Sequence, residues 1–198
     1  MKEFIFQLLE TLGEYGYAGI ALGLMVEVIP SEIVLSYGGY LVSIGKIHFV
    51  GALAAGIAGG TLAQLFLYWL GKYGGRPFFQ KYGKYLFISE RHIQASEQWF
   101  EKYGSFVIFS ARFIPIVRHA ISIPAGFAQM KQSLFLIYTF AAMIPWTILF
   151  LLIGIQLGDH WESIESVAGN YIRPIALISL CVLGGYWIWN MKNKQKYE

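Results

Sequence analysis

Charge is what this sequence has least of. Only 14% of its 198 residues are Asp, Glu, Lys or Arg and 56% are hydrophobic, where a soluble domain carries about 25% charged residues. That is too little polar material to cover a globule of this size, so a soluble globular domain is excluded, and the apolar content excludes disorder. An excess of one sign is missing too. With 15 Lys+Arg against 12 Asp+Glu, the balance of +3 offers no footing for nucleic acid. Cysteine is nearly absent: Cys181 alone, in an apolar run, excludes both a disulfide framework and a Cys-rich metal site. No metal or cofactor is expected. What is left is an all-α integral membrane protein of one compact unit, residues 1–198.

Three stretches, 47–71, 132–158 and 174–191, hold no Asp, Glu, Lys or Arg. At 25, 27 and 18 residues, each can cross a hydrocarbon core of about 30 Å as a helix. The third needs Trp187 and Trp189 at an interface to do so. None reads as a cleavable signal peptide, since the apolar runs are internal and no A-x-A site follows the N-terminus. Residues 1–14 place Phe4, Ile5, Leu8, Leu9 and Leu12 on one face, which predicts an amphipathic helix on the membrane surface.

Two further apolar stretches are interrupted. Residues 15–45 contain only Glu27 and Glu32 as charges, around Pro30; residues 104–130 contain only Arg112 and Arg118, around Pro115 and followed by Pro124 and Gly126. Each is either a proline-kinked spanning helix or a re-entrant hairpin. Positive charge favours the hairpin. Segment 72–103 carries Lys72, Arg76, Lys81, Lys84, Arg91 and Lys102, and the C-terminus carries Lys192, Lys194 and Lys196, so both are expected in the cytoplasm. Helices 132–158 and 174–191 already supply two crossings between them, so 104–130 must enter and return.

The halves echo each other at a spacing of about 87 residues. Glu10 and Glu14 match Glu97 and Glu101, Tyr15-Gly16 matches Tyr103-Gly104, Gly39-Tyr40 matches Gly126-Phe127, and Leu70-Gly71 matches Leu157-Gly158. With one crossing between the hairpins, the second unit is upside down relative to the first. In such inverted repeats, broken half-helices meet at the bilayer midplane. Gly51, Gly56, Gly59 and Gly60 thin one face of the first spanning helix, as expected where another helix packs closely.

Four ionisable residues within apolar segments need a reason, because each costs about 2.5–3.5 kcal/mol on insertion scales. Two readings stand: a pair of buried ion pairs locking the hairpin tips, or an anion site. Buried pairs rarely repay their desolvation. Arg112 and Arg118 offer planar forks of donors suited to phosphate, beside half-helix N-termini. Glu27 and Glu32 would compete with a bound phosphate for those arginines, taking up a proton as it enters and releasing it as it leaves. Ser31, Tyr37, Gln64 and His119 are the candidate cavity residues, His119 as a proton relay or as a hydrogen-bonding wall. A membrane phosphatase is disfavoured, because His48, His92, His119 and His160 are scattered along the chain.

Glu-x-x-Pro-Ser-Glu at 27–32, Phe-Ser-Ala-Arg-Phe-Ile-Pro-Ile-Val-Arg at 109–118 and Pro-Ala-Gly at 124–126 resemble the DedA family, also called the SNARE-associated or VTT-domain family. The resemblance covers roughly residues 15–160. It implies two re-entrant loops, a multi-pass protein of the bacterial plasma membrane with a cytoplasmic C-terminus, and dependence on the proton gradient. By position, Glu27 and Glu32 match the family's acidic pair, and Arg112 and Arg118 its arginine pair. It further implies a lipid substrate, with undecaprenyl phosphate carried from the outer to the inner leaflet as the leading expectation and phosphatidylethanolamine as the rival. Expected partners are that lipid, protons, the bilayer and, as an open alternative, a second copy of the chain.

Overall fold

The computed structural model describes residues 2–26, 29–82 and 106–158, together with His160, Pro174, Leu177, Ile178 and Cys181 individually. Glu27, most of 72–103 beyond Tyr82, and nearly all of the expected helix 174–191 lie outside the described residues. The described chain is helical, in the order α1 (Lys2–Glu14), α2 (Tyr17–Val26), α3 (Ser31–Ser43), α4 (Phe49–Tyr82), α5 (Phe106–Ala111), α6 (Pro115–Ala120), α7 (Ser122–Phe127) and α8 (Gln132–Leu157). Two of these are long and apolar enough to cross a membrane: 26 residues of α4, Phe49–Gly74, and all 26 of α8. Their outward faces are apolar, with Val50, Phe66, Ile137 and Phe140 at least half exposed. Helix α4 continues past the uncharged stretch 47–71 to Tyr82, through Gly74, Gly75 and Pro77, which are poor helix formers.

The chain divides into two compact units, 1–63 with 143–171 and 64–142 with 172–198. In the first unit, α1, α2 and α3 pack on one another. Gly16, at φ +56°, makes the tight turn from α1 into α2; the left-handed conformation there is open to glycine at little cost. The apolar face of α1 turns inward: Leu9 is 1% exposed, and Gly19 on α2 lies against the Leu12 carbonyl. The expected surface helix is thus docked on protein along part of that face. Ile20, Val34, Leu35 and Leu41 continue the core, with Ala52 and Ile57 from α4 and Phe150 and Leu151 from α8. The glycines of α4 do take close neighbours. A Cβ on Gly59 would lie 2.6 Å from the Ala21 carbonyl oxygen of α2, and one on Gly56 would meet Thr147 at 2.6 Å.

In the second unit, α5, α6 and α7 replace the first unit's helix pair. Its core joins Leu65 and Tyr68 of α4 to Val107 and Ile108 of α5, Ala125 of α7 and Phe135 of α8. Tyr68 is fully buried; its ring stacks on Phe135 at 4.5 Å, and its hydroxyl donates to the Met130 carbonyl at 2.5 Å. Tyr68→Phe is expected to cost about 1–3 kcal/mol, because it leaves that carbonyl without its donor in an apolar setting. Chemical denaturation in detergent checks this, and an unchanged midpoint would contradict it.

The two units share one packing device. In the first, Ser36 and Gly39 of α3 cross Leu151 and Gly154 of α8 with backbones in contact: a Cβ on Gly39 would press on the Leu151 carbonyl and lie 2.8 Å from Gly154 Cα. In the second, Ile123 and Gly126 of α7 cross Tyr68 and Gly71 of α4, and a Cβ on Gly126 would press on the Tyr68 carbonyl and lie 2.7 Å from the Lys72 nitrogen. The helix pairs correspond at a spacing of 87 for Gly39 and Gly126 but 83 for Gly71 and Gly154. So Gly71 answers to Gly154, and the expected equivalence of Leu70-Gly71 with Leu157-Gly158 is corrected. The cause is local. Helix α3 runs one turn beyond Gly39, to Ser43, whereas α7 ends at Phe127. Both helices then stop in the same way, with paired backbone bonds, Lys46 to Leu41 and Met130 to Ala125, of the Schellman type.

Candidate phosphate site

The arginine segment is built around interruptions in the helix. After α5, the amides of Arg112, Phe113 and Ile114 each bond the carbonyl three residues back, a short 3₁₀ stretch of the kind that closes a helix. Pro115 then opens α6 at its first position, where its missing N–H costs nothing. The next interruption lies at Ile121, between α6 and α7, where the backbone stays right-handed helical at φ −65°, ψ −23°. Pro124 and Gly126, expected at a hairpin break, instead lie inside α7. Pro124 falls in its first turn, where the absent donor is again unneeded, and Gly126 is the crossing point with α4. Pro30 marks a true break: it immediately precedes α3 at φ −52°, ψ 132°, and its carbonyl accepts from Ile33 and Val34.

Arg112 is 4% exposed and Arg118 7%. Nη1 of Arg112 donates to the Arg118 carbonyl at 3.4 Å, and Nη2 donates to Ser122 Oγ at 3.3 Å and to Thr139 Oγ1 at 2.8 Å. The guanidinium carbon stands 5.5 Å from the Phe135 ring centroid, within cation–π range. Ser122 in turn donates to Gln64 Oε1 at 2.6 Å. Three of the five Arg112 donors are therefore met by neutral oxygens on α6, α7 and α8. Of the expected cavity residues, Gln64 belongs to this network, 2% exposed. Ser122 and Thr139, both fully buried, were not legible as site residues, because hydroxyls in apolar helices ordinarily bond their own backbone.

The other expected residues fall in the first unit or outside description. Glu32 sits in the first turn of α3, where the unsatisfied N–H groups favour negative charge; Ser31 Oγ donates to its carboxylate at 3.4 Å. Tyr37 packs between α1 and α3, its ring against Gly13, beside a void of only about 10 Å³ that Leu9, Val34 and Leu41 also line. That volume is close to the minimum for one water. His119 is on α6, with its side chain outside the described set.

Comparison with known proteins places these motifs. The VTT domain model matches residues 29–156, which include Glu32, both arginines and both glycine crossings. The chain belongs to the VTT-domain (DedA) family. The chain is 57% identical over 95% of both chains to a Bacillus subtilis protein named undecaprenyl phosphate transporter A. It is 40% identical to the B. subtilis membrane protein YkoX, over all of this chain and 90% of the relative. A Lactococcus lactis protein named alkaline phosphatase-like is 35% identical over 90% of this chain and 86% of its own. No solved structure matches the chain. The apolar outer faces of α4 and α8 fit a membrane location.

Proposed function

We propose that the protein transports undecaprenyl phosphate, returning the carrier lipid from the outer to the inner leaflet, with Arg112 and Arg118 holding its phosphate. The observation that carries this is Arg112: a permanently charged guanidinium, 4% exposed in an apolar helical body and oriented by neutral oxygens. Desolvating such a charge is costly, and an anionic headgroup is the ligand that gives it a use. The 57% identity to a protein named for this lipid supports the tail assignment. In this reading α2–α3 and α5–α7 are re-entrant hairpins of opposite orientation, matched by their two glycine crossings, and the basic C-terminus faces the cytoplasm. The name of the lactococcal relative points to the same phosphate chemistry, but the scattered histidines supply no nucleophile with a partner acid.

Flux of undecaprenyl phosphate in proteoliposomes, wild type against Arg112→Ala and Arg118→Ala, tests the site. Equal flux in all three would sink it, and release of inorganic phosphate would replace transport by hydrolysis. Phosphatidylethanolamine added as competitor separates the rival substrate. Proton coupling by Glu27 and Glu32 is part of the proposal. Glu27→Gln and Glu32→Gln are each expected to leave flux that no longer responds to an imposed pH gradient. Gradient-driven flux surviving in both variants would remove the carboxylates from the coupling.

A further inference from the structure

We propose that Gln64, Ser122 and Thr139 are positioning residues that aim Arg112 at the phosphate. The inference rests on the reading of Arg112 as a phosphate ligand. A guanidinium can only donate, so Ser122 Oγ and Thr139 Oγ1 must accept from Nη2. The Ser122 proton must then go elsewhere, and Gln64 Oε1 receives it at 2.6 Å. Every member of this chain is at most 4% exposed, among Leu65, Ile108 and Phe135. Three neutral polar side chains at such depth are a liability unless they are satisfied. Here the guanidinium and the contact between Ser122 and Gln64 satisfy them together.

Backbone packing sets the geometry. Gly71 and Gly126 bring α4 and α7 into contact, and Gln64 and Ser122 lie back along the same two helices, Ser122 one turn before Gly126. That closeness lets the short Ser122 side chain reach across to Gln64. On α8, Phe135 and Thr139 lie one turn apart: the ring faces the guanidinium and the hydroxyl meets its edge. Four segments thus hold one side chain in plane and in depth.

Transport kinetics of the full-length protein in proteoliposomes containing undecaprenyl phosphate test this. Thr139→Val and Ser122→Ala should each raise the apparent KM about tenfold, as expected for losing one hydrogen bond to a charged group, with maximal flux unchanged. Thr139→Ser, which keeps the hydroxyl, should restore the wild-type KM. A merely structural role would instead lower the number of active molecules, so reduced maximal flux at unchanged KM in both variants would overturn the proposal. Wild-type kinetics in both, beside an inactive Arg112→Ala, would overturn the positioning role and leave the phosphate site standing. Wild-type flux in Arg112→Ala would overturn the phosphate site, and the positioning role with it. If Thr139→Val does not fold, Ser122→Ala on a different helix carries the same decision.

Discussion

Arg112→Lys is expected to lose undecaprenyl phosphate flux about a hundredfold, nearly as much as Arg112→Ala, although it keeps the charge. The reason lies in where the acceptors are. Ser122 on α7, Thr139 on α8 and the Arg118 carbonyl on α6 receive from two separate nitrogens of one planar group. An ammonium concentrates its three donors on a single atom at the end of a flexible stem, so it cannot meet all three positions. Each hydrogen bond to a charged group contributes about 1.5–3 kcal/mol, and losing two reaches a hundredfold. Lysine also gives up the flat face set against Phe135. Initial rates in proteoliposomes, at matched amounts of folded protein, check the claim. Flux in Arg112→Lys within a few-fold of wild type would mean that charge alone suffices and the fork is not used.

How far the site could be read from the sequence follows from what each residue must do alone. Arg112 and Arg118 stood out because an ionisable group in an apolar segment is costly wherever the segment sits. Pro30 and Pro115 marked breaks because a proline dictates its own backbone, and a helix starts at each. Gln64 was visible as a large amide in an uncharged stretch. Ser122 and Thr139 were not, since their function exists only when α7 and α8 meet at Arg112, and a lone hydroxyl carries no sign of that meeting. The repeat's spacing holds at Gly39 and Gly126 and has slipped by one turn at Gly71 and Gly154. A fixed spacing cannot register that α3 runs past its glycine while α7 stops. The helix interruption at Ile121 was likewise hidden, because the neighbouring Pro124 was the stronger local signal yet fits without difficulty inside a first helical turn.

The two glycine crossings carry the second large effect, and its sign makes it diagnostic. Within a helix, Gly→Ala ordinarily stabilises by about 1 kcal/mol. At Gly39, Gly154, Gly71 and Gly126 the opposite is expected. A Cβ at each would meet backbone of the crossing helix, which cannot rotate away as a side chain tip can. Overpacking of this kind costs about 1–3 kcal/mol or more, so alanine should lower the denaturation midpoint at all four positions and valine should prevent folding. The pairing follows from shared partners. Gly39 and Gly154 lie in one crossing, so once alanine at one has forced the helices apart, alanine at the other should cost much less; Gly71 and Gly126 should behave alike. Gly39 and Gly126 lie in different crossings with no neighbour in common, and their alanine effects should add within about 0.5 kcal/mol. Denaturation of the four single and three double variants reads this directly. Additivity within the crossings would mean that the glycines act separately, and the structural equivalence of Gly71 with Gly154 would lose its energetic support.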